Sequence, residues 1–142
     1  MSEAAVLARH IANGEQAGQG TVLIVDDEAS IRESLQTLLE MEGYQVETAA
    51  SGEEGLAHIA EQPVDLVLLD FALPDRNGVE VLREIRDRDP LLPVIMITAY
   101  GDERTLRRAR EAGAEGVFGK PIDFSALKAE IDQRLIERGL PA

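Results

Sequence analysis

Asp70 closes the apolar run Val64-Asp65-Leu66-Val67-Leu68-Leu69-Asp70. A carboxylate at the end of a buried strand is costly unless something there uses it. Three further clusters follow apolar runs in the same way: Asp26-Asp27, Thr98 in Ile97-Thr98-Ala99, and Lys120-Pro121. In open α/β sheets, ligands bind outside the carboxyl ends of the strands. If the strands bearing Asp26-Asp27 and Asp70 are neighbours, the three carboxylates converge and must either raise each other's pKa or hold a cation. Hard oxygen ligands in an open cleft suit Mg²⁺. The Thr98 hydroxyl can donate to an oxyanion above the sheet. Lys120 is a point charge with three donors, suited to a bound phosphoryl group. The tertiary amide of Pro121 makes a cis bond accessible, which would redirect Lys120 toward the site. Together these residues supply a nucleophilic carboxylate, a metal site, a hydroxyl donor and a cation, which is the minimum set for phosphoryl transfer onto Asp70.

The elements that must position these groups are legible as alternating strand and helix signals. Thr21 to Val25 is a continuous apolar run, the pattern of a strand covered on both faces. Ile31, Leu35, Leu38 and Leu39 follow helical spacing and Gly43 stops the helix. Tyr44 to Ala49 is a second strand, and Ser51-Gly52-Glu53-Glu54 is a capping box that opens a second helix. Asp65 to Leu69 forms the third strand. Asn77 caps a helix carrying Val81, Leu82 and Ile85. Pro93 to Ile97 is the fourth strand, followed by a helix over 102–112. Gly116 to Phe118 is a short fifth strand, and a last helix starts near Asp123. Short connections predict an α/β fold with a five-stranded parallel sheet, doubly wound by helices on both faces. Strand order is not readable from periodicity, and five units are too few for an eight-stranded barrel.

The bulk numbers narrow the function classes. The chain has 142 residues, 44% hydrophobic and 29% charged, which suits one globular domain. It holds no Cys, which excludes disulfides and thiol catalysis. A net charge of −13 opposes direct binding to nucleic acid and insertion at anionic membranes. No apolar stretch approaches the roughly 20 residues that span a bilayer. Met1 to Leu7 lacks the basic region and long apolar run of a signal peptide, so a cytoplasmic location is expected. Residues 1–19 read as a flexible N-terminal extension, 20–139 as the functional domain and 140–142 as a tail. His10 and His58 have no ligand partner at metal spacing and are expected to face solvent. Arg104, Arg107, Arg108 and Arg110 make one helix basic within an acidic chain, as a solvated face or a contact surface.

Val25-Asp26-Asp27-Glu28, Leu69-Asp70 through Leu73-Pro74 to Asn77-Gly78, Ile97-Thr98-Ala99 and Lys120-Pro121 resemble the receiver domains of two-component response regulators, the chemotaxis-regulator-like family. The resemblance covers roughly residues 20 to 139. It implies a flavodoxin-like sheet of order 2-1-3-4-5. It also implies that Asp70 takes a phosphoryl group from a phosphohistidine on a sensor histidine kinase or a histidine phosphotransfer protein. Asp27 and Asp70 would ligate Mg²⁺ directly, Asp26 through water, and the Ala72 backbone carbonyl would be a further ligand. Lys120 would pair with the phosphoryl group and Thr98 would move to bond it. The first helix, with Ile31, Arg32, Ser34 and Leu35, would dock the donor. The surface from the fourth strand to the fifth would rearrange, and the face from the fourth helix to the fifth could pair two copies. Such a domain catalyses only its own phosphorylation and dephosphorylation.

Two departures from the family pattern stand out. The family's aromatic switch position, three residues before the motif Lys, holds Val117, with Phe118 next to it. Neighbouring strand residues face opposite sides, so Phe118 substitutes poorly. Tyr100 could take part of that role or shield the site. Ala72 offers no side-chain function two residues after Asp70, where aspartyl-phosphate hydrolases need an acid/base. Two alternatives remain: such a hydrolase, or a pseudo-receiver that acts by protein contact alone. Either a stand-alone regulator or the receiver part of a longer protein is compatible with these residues.

Overall fold

The structure is a computed structural model that describes residues 20–99 and 101–140. Five strands, β1 (Thr21–Val25), β2 (Gln45–Ala49), β3 (Leu66–Asp70), β4 (Val94–Thr98) and β5 (Gly116–Gly119), form one sheet of order β2-β1-β3-β4-β5. Every pairing is parallel. The helices are α1 (Ala29–Met41), α2 (Gly52–Glu61), α3 (Gly78–Arg88), α4 (Glu103–Glu111) and α5 (Phe124–Glu137).

Strand alternation divides the core into two layers. Leu23, Val25, Val67, Leu69, Val94 and Met96 face one side, where Leu56 of α2, Val81, Leu82 and Ile85 of α3, and Ala109 of α4 cover them. Val22, Ile24, Leu66, Leu68, Ile95 and Ile97 face the other, against Leu35 and Leu39 of α1 and Leu127, Ile131 and Leu135 of α5. The three central strands are thus buried on both faces, which is why they read as continuous apolar runs. Each such Leu or Ile contributes on the order of 2 kcal/mol by leaving water.

The expected helix stops hold: Gly43 and Gly113 have φ of 96° and 103°, the left-handed conformation that ends α1 and α4. Asn77, Asp102 and Asp123 cap α3, α4 and α5 through their side-chain oxygens. Ser51 Oγ accepts from Glu54 N at 3.1 Å, and the Glu54 carboxylate reaches back to Ala50 N, also at 3.1 Å. Strand boundaries differ from expectation by one residue. β3 runs from Leu66 to Asp70, and just before it the Asp65 carboxylate accepts the Thr21 N–H at 2.8 Å while the Asp65 N–H donates to Thr21 O at 2.9 Å. β4 likewise runs on to Thr98. Tyr44 lies outside β2 because its N–H closes α1 on Leu39 O, while its hydroxyl donates to Asp132 of α5.

The described chain enters and leaves at one place. Leu140 packs against the α1–α5 layer, and a side-chain carbon built on Gly20 would lie 3.2 Å from Leu140 Cδ1. Residues 1–19 with His10, Tyr100 and residues 141–142 lie outside the described residues. His58 does not simply face solvent. Its side chain is 21% exposed, Nε2 stands 3.4 Å from Glu47 Oε2, and Nδ1 is buried without a hydrogen-bond partner among the described residues. No helix of the described residues is long and apolar enough to cross a membrane.

Candidate functional site

β1 and β3 are adjacent and parallel, so the residues after Val25 and the last residue of β3 meet at the carboxyl edge of the sheet. Asp26 is fully buried there. Its N–H donates to Ala49 O at 3.1 Å, its Oδ1 accepts from Glu28 N at 2.9 Å, and its carbonyl accepts from Arg32 Nη1 at 2.7 Å. Asp27 is exposed at the mouth. Asp70 is buried, with Ala72 N donating to its Oδ1 at 3.3 Å.

Lys120 enters from the opposite side of the cleft. β5 pairs with β4, and the Lys120 N–H donates to Thr98 O at 2.8 Å, one residue beyond the Asp70–Ile97 register pair. The Lys120–Pro121 peptide bond is cis. Its Nζ lies 3.4 Å from Asp70 Oδ2, 3.1 Å from Asp26 Oδ2 and 2.7 Å from Glu28 Oε1. The contact with Asp26 is an ion pair without hydrogen-bond alignment, so the buried Asp26 Oδ2 has no hydrogen-bond partner among the described residues.

Burial and the nearby Asp26 charge push Asp70 up to about 6, against the opposing pull of Lys120 and the Ala72 N–H. Burial alone would lower Lys120. Its contacts with Glu28 and Asp26 and the charge of Asp70 outweigh burial and hold it firmly protonated. Oxygens of Asp26, Asp27, Glu28 and Asp70 all lie within 4.8 Å of one another. Among the described residues these four carboxylates meet the Lys120 ammonium, with Arg32 bound to the Asp26 carbonyl, so negative charge is left unbalanced, and one buried oxygen lacks a hydrogen-bond donor. With Glu28 taken up by Lys120, the oxygens of Asp26, Asp27 and Asp70 fit a hard divalent cation that keeps part of its water shell.

The loop after Asp70 is held tightly. Gly78 N donates to Phe71 O at 2.7 Å. A Cβ on Gly78 would lie 2.4 Å from Asp70 O and 2.8 Å from Phe71 Cα, so only glycine allows the start of α3 to approach the strand end this closely. Asp75 accepts from Gly52 N at 2.9 Å and Glu53 N at 3.0 Å, and this pair of bonds lowers its pKa. Arg76 bridges Glu53 at 3.0 Å and Glu84 at 2.5 Å.

The structure therefore brings Asp26, Asp27, Asp70, Thr98 and Lys120 to one cleft. Sequence reasoning missed Glu28, although it is the third acid of the run and lies one residue past the pair. It also missed Asp75, whose partner stands 23 residues away and left no local signal. Val117 packs in the α2–α3–α4 layer, on the face of Met96, and by alternation of Thr98. Phe118 packs in the opposite layer.

Residues 22–132 match the family model of the response regulator receiver domain. The chain belongs to that family.

This receiver domain is 40% identical over 108 residues to the transcriptional regulatory protein ResD of Bacillus subtilis, a match covering 76% of the chain and 45% of ResD. It is 39% identical over 122 residues to the phosphate regulon transcriptional regulatory protein PhoB of Pseudomonas aeruginosa, covering 84% of the chain and 53% of PhoB. The receiver domain thus spans about half the length of these two relatives. Among solved structures, a CheY-like receiver domain protein from Methanospirillum hungatei superposes with a TM-score of 0.80 at 37% identity, over 84% of this chain and 95% of that one. The shared fold is the flavodoxin-like sheet described above.

Proposed function

We propose that Asp70 is the phosphoacceptor of this receiver domain. The observation that carries this reading is the placement of a buried carboxylate at a strand end, 3.4 Å from the Lys120 ammonium and inside the acidic cluster. A phosphohistidine on a sensor histidine kinase or histidine phosphotransfer protein is the donor. An Asp70 oxygen attacks phosphorus, a P–O bond forms as the P–N bond breaks, and the departing imidazole takes up a proton. Family membership supports the donor class, and the names of the relatives support transcriptional control as the setting.

Asp26, Asp27 and Asp70 would hold Mg²⁺, with the Ala72 carbonyl completing the protein's share. Bound there, the ion neutralises charge on the transferring phosphoryl oxygens. The chain's own residues do the rest. Asp26 Oδ1 is fixed by Glu28 N, Asp70 Oδ1 by Ala72 N, and Lys120 is already aimed at Asp70 Oδ2. Thr98, the last residue of β4 beside the strand that carries Asp70, would bond the added oxygens. Val117 puts a small apolar group on the Thr98 face where an aromatic would couple to Thr98, and the face from α4 to α5 is where a second copy would pair. Residues 20–139 form the working unit, in the cytoplasm.

The hydrolase alternative lacks a residue: Ala72 is exposed and has no group to activate water. The pseudo-receiver alternative leaves the intact acid cluster without a role. Incubation with acetyl phosphate and Mg²⁺, followed by mass measurement, tests the reading. One phosphoryl group on the wild-type chain and none on Asp70→Asn is the expected result. An unlabelled wild-type chain, or equal labelling of the variant, overturns it.

A further inference from the structure

Lys120 does not wait with its ammonium free. Its shortest contact is with Glu28 Oε1 at 2.7 Å, against 3.4 Å to Asp70 Oδ2. Glu28 stands just before α1 at its N-cap position, where a side chain would ordinarily cap the helix, yet it makes no capping bond. Its carboxylate reaches across the cleft to a residue 92 positions away in the chain. Its backbone carbonyl meanwhile accepts the N–H groups of Ile31 and Arg32, so the pair ties the first turn of α1 to the segment after β5.

From this geometry we propose that Glu28 is a latch on Lys120, competing for the ammonium with a phosphoryl group on Asp70. The inference rests on the phosphoacceptor reading of Asp70. The two ends of the latch differ in environment. The Lys120 side chain is 13% exposed and stays in the cleft, whereas that of Glu28 is 54% exposed and can swing into water at small cost. An ion pair with one such exposed partner is weak, while a phosphoryl oxygen in the cleft is a stronger acceptor. A phosphoryl group on Asp70 replaces the single charge of its carboxylate with up to two negative charges near the Glu28 carboxylate, which favours expulsion of Glu28 over sharing of Lys120. Phosphorylation thus exchanges the partner of Lys120, and frees a carboxylate at the first turn of α1. Glu28 is a positioning residue, acting through Lys120.

The test compares wild type, Glu28→Gln, Lys120→Gln and the double variant in phosphorylation by acetyl phosphate at saturating Mg²⁺. Breaking the latch alone raises the rate about two- to five-fold, the range of a partly exposed ion pair. The gain disappears in the Lys120→Gln background, because nothing remains to release. A gain that persists there would mean that Glu28 acts only through its charge, and overturns the latch. A rate that is lowered or unchanged in Glu28→Gln also overturns it. Mg²⁺ titration of the unphosphorylated chains gives a second readout: affinity changes by less than about three-fold if Glu28 is a latch, and a ten-fold loss would make it a metal ligand instead. The Glu28 side-chain carboxyl carbon resonance of the wild-type chain shifts when Asp70 is phosphorylated; a resonance that stays fixed sinks the exchange. If the wild-type chain takes no phosphoryl group at all, the reading of Asp70 has failed, a result distinct from normal labelling without the Glu28 effect.

Discussion

Asp75 caps a helix to which it does not belong: its carboxylate accepts the N–H of Gly52 at 2.9 Å, so the loop that follows Asp70 is fastened to the start of α2. The second bond, from Glu53 N at 3.0 Å, makes the grip bidentate. Loss of such a cap typically costs about 1 kcal/mol. Asp75→Ala is therefore expected to lower stability by about that amount in urea unfolding at neutral pH. Since the Asp75 pKa is lowered in the folded chain, its contribution is present above pH 4 or so and is lost as the pH falls toward the folded value. The difference between wild type and variant should shrink on acidification.

Asp70 has the opposite sign. Its carboxyl is pushed up to about 6, chiefly by burial and then by Asp26. Between pH 4 and pH 6 the folded metal-free chain holds a proton that the unfolded chain has released, so stability falls as the pH rises through that window. The loss is on the order of 2 kcal/mol. Asp70→Asn is expected to remove this slope and leave the metal-free protein more stable at pH 7 than wild type. Unfolding curves across that range check it. Mg²⁺ should stabilise wild type more than Asp70→Asn, because one ligand of the cluster is gone.

Gly78→Ala tests how closely α3 must approach the strand end. The new methyl would sit 2.4 Å from the Asp70 carbonyl oxygen, a backbone atom that cannot turn aside. The loop must shift, at a cost of about 2 kcal/mol. Slower labelling of Asp70 should accompany lower stability. A variant as stable and as reactive as wild type would show that the approach is not needed.

Phe118 and Val117 divide the question of signal transmission. Phe118 packs with the α1–α5 layer, away from Thr98. Phe118→Ala is expected to cost about 2 kcal/mol, less than a fully buried Phe. Hydrogen exchange of α4 should still change on phosphorylation in that variant. Loss of the α4 response would place Phe118 in the path after all.

Much of this was legible because the chemistry sits where the elements end. The continuous apolar runs of β1, β3 and β4 announced strands buried on both faces, and the acids, Thr98 and Lys120 marked their carboxyl ends. The alternation that separates Val117 from Phe118 could be stated before any coordinates. What could not be read were contacts made by groups far apart in sequence with no periodic signal. Asp75 looks like an ordinary turn residue, and Glu28 like an ordinary helix-start acid, until the sheet brings the segment after β2 near the one after β3 and the segment after β1 near the one after β5.

Gly20 and Leu140 touch at the edge of the sheet where β1 begins, and β1 is about 16 Å long. The acid cleft opens at its other end. A short linker could therefore join these two residues and new termini be cut in the exposed turn at Leu91, giving a circularly permuted receiver with its phosphorylation chemistry intact. The same layout places anything joined directly at Gly20 or Leu140 at the opposite end of the sheet from the acid cleft.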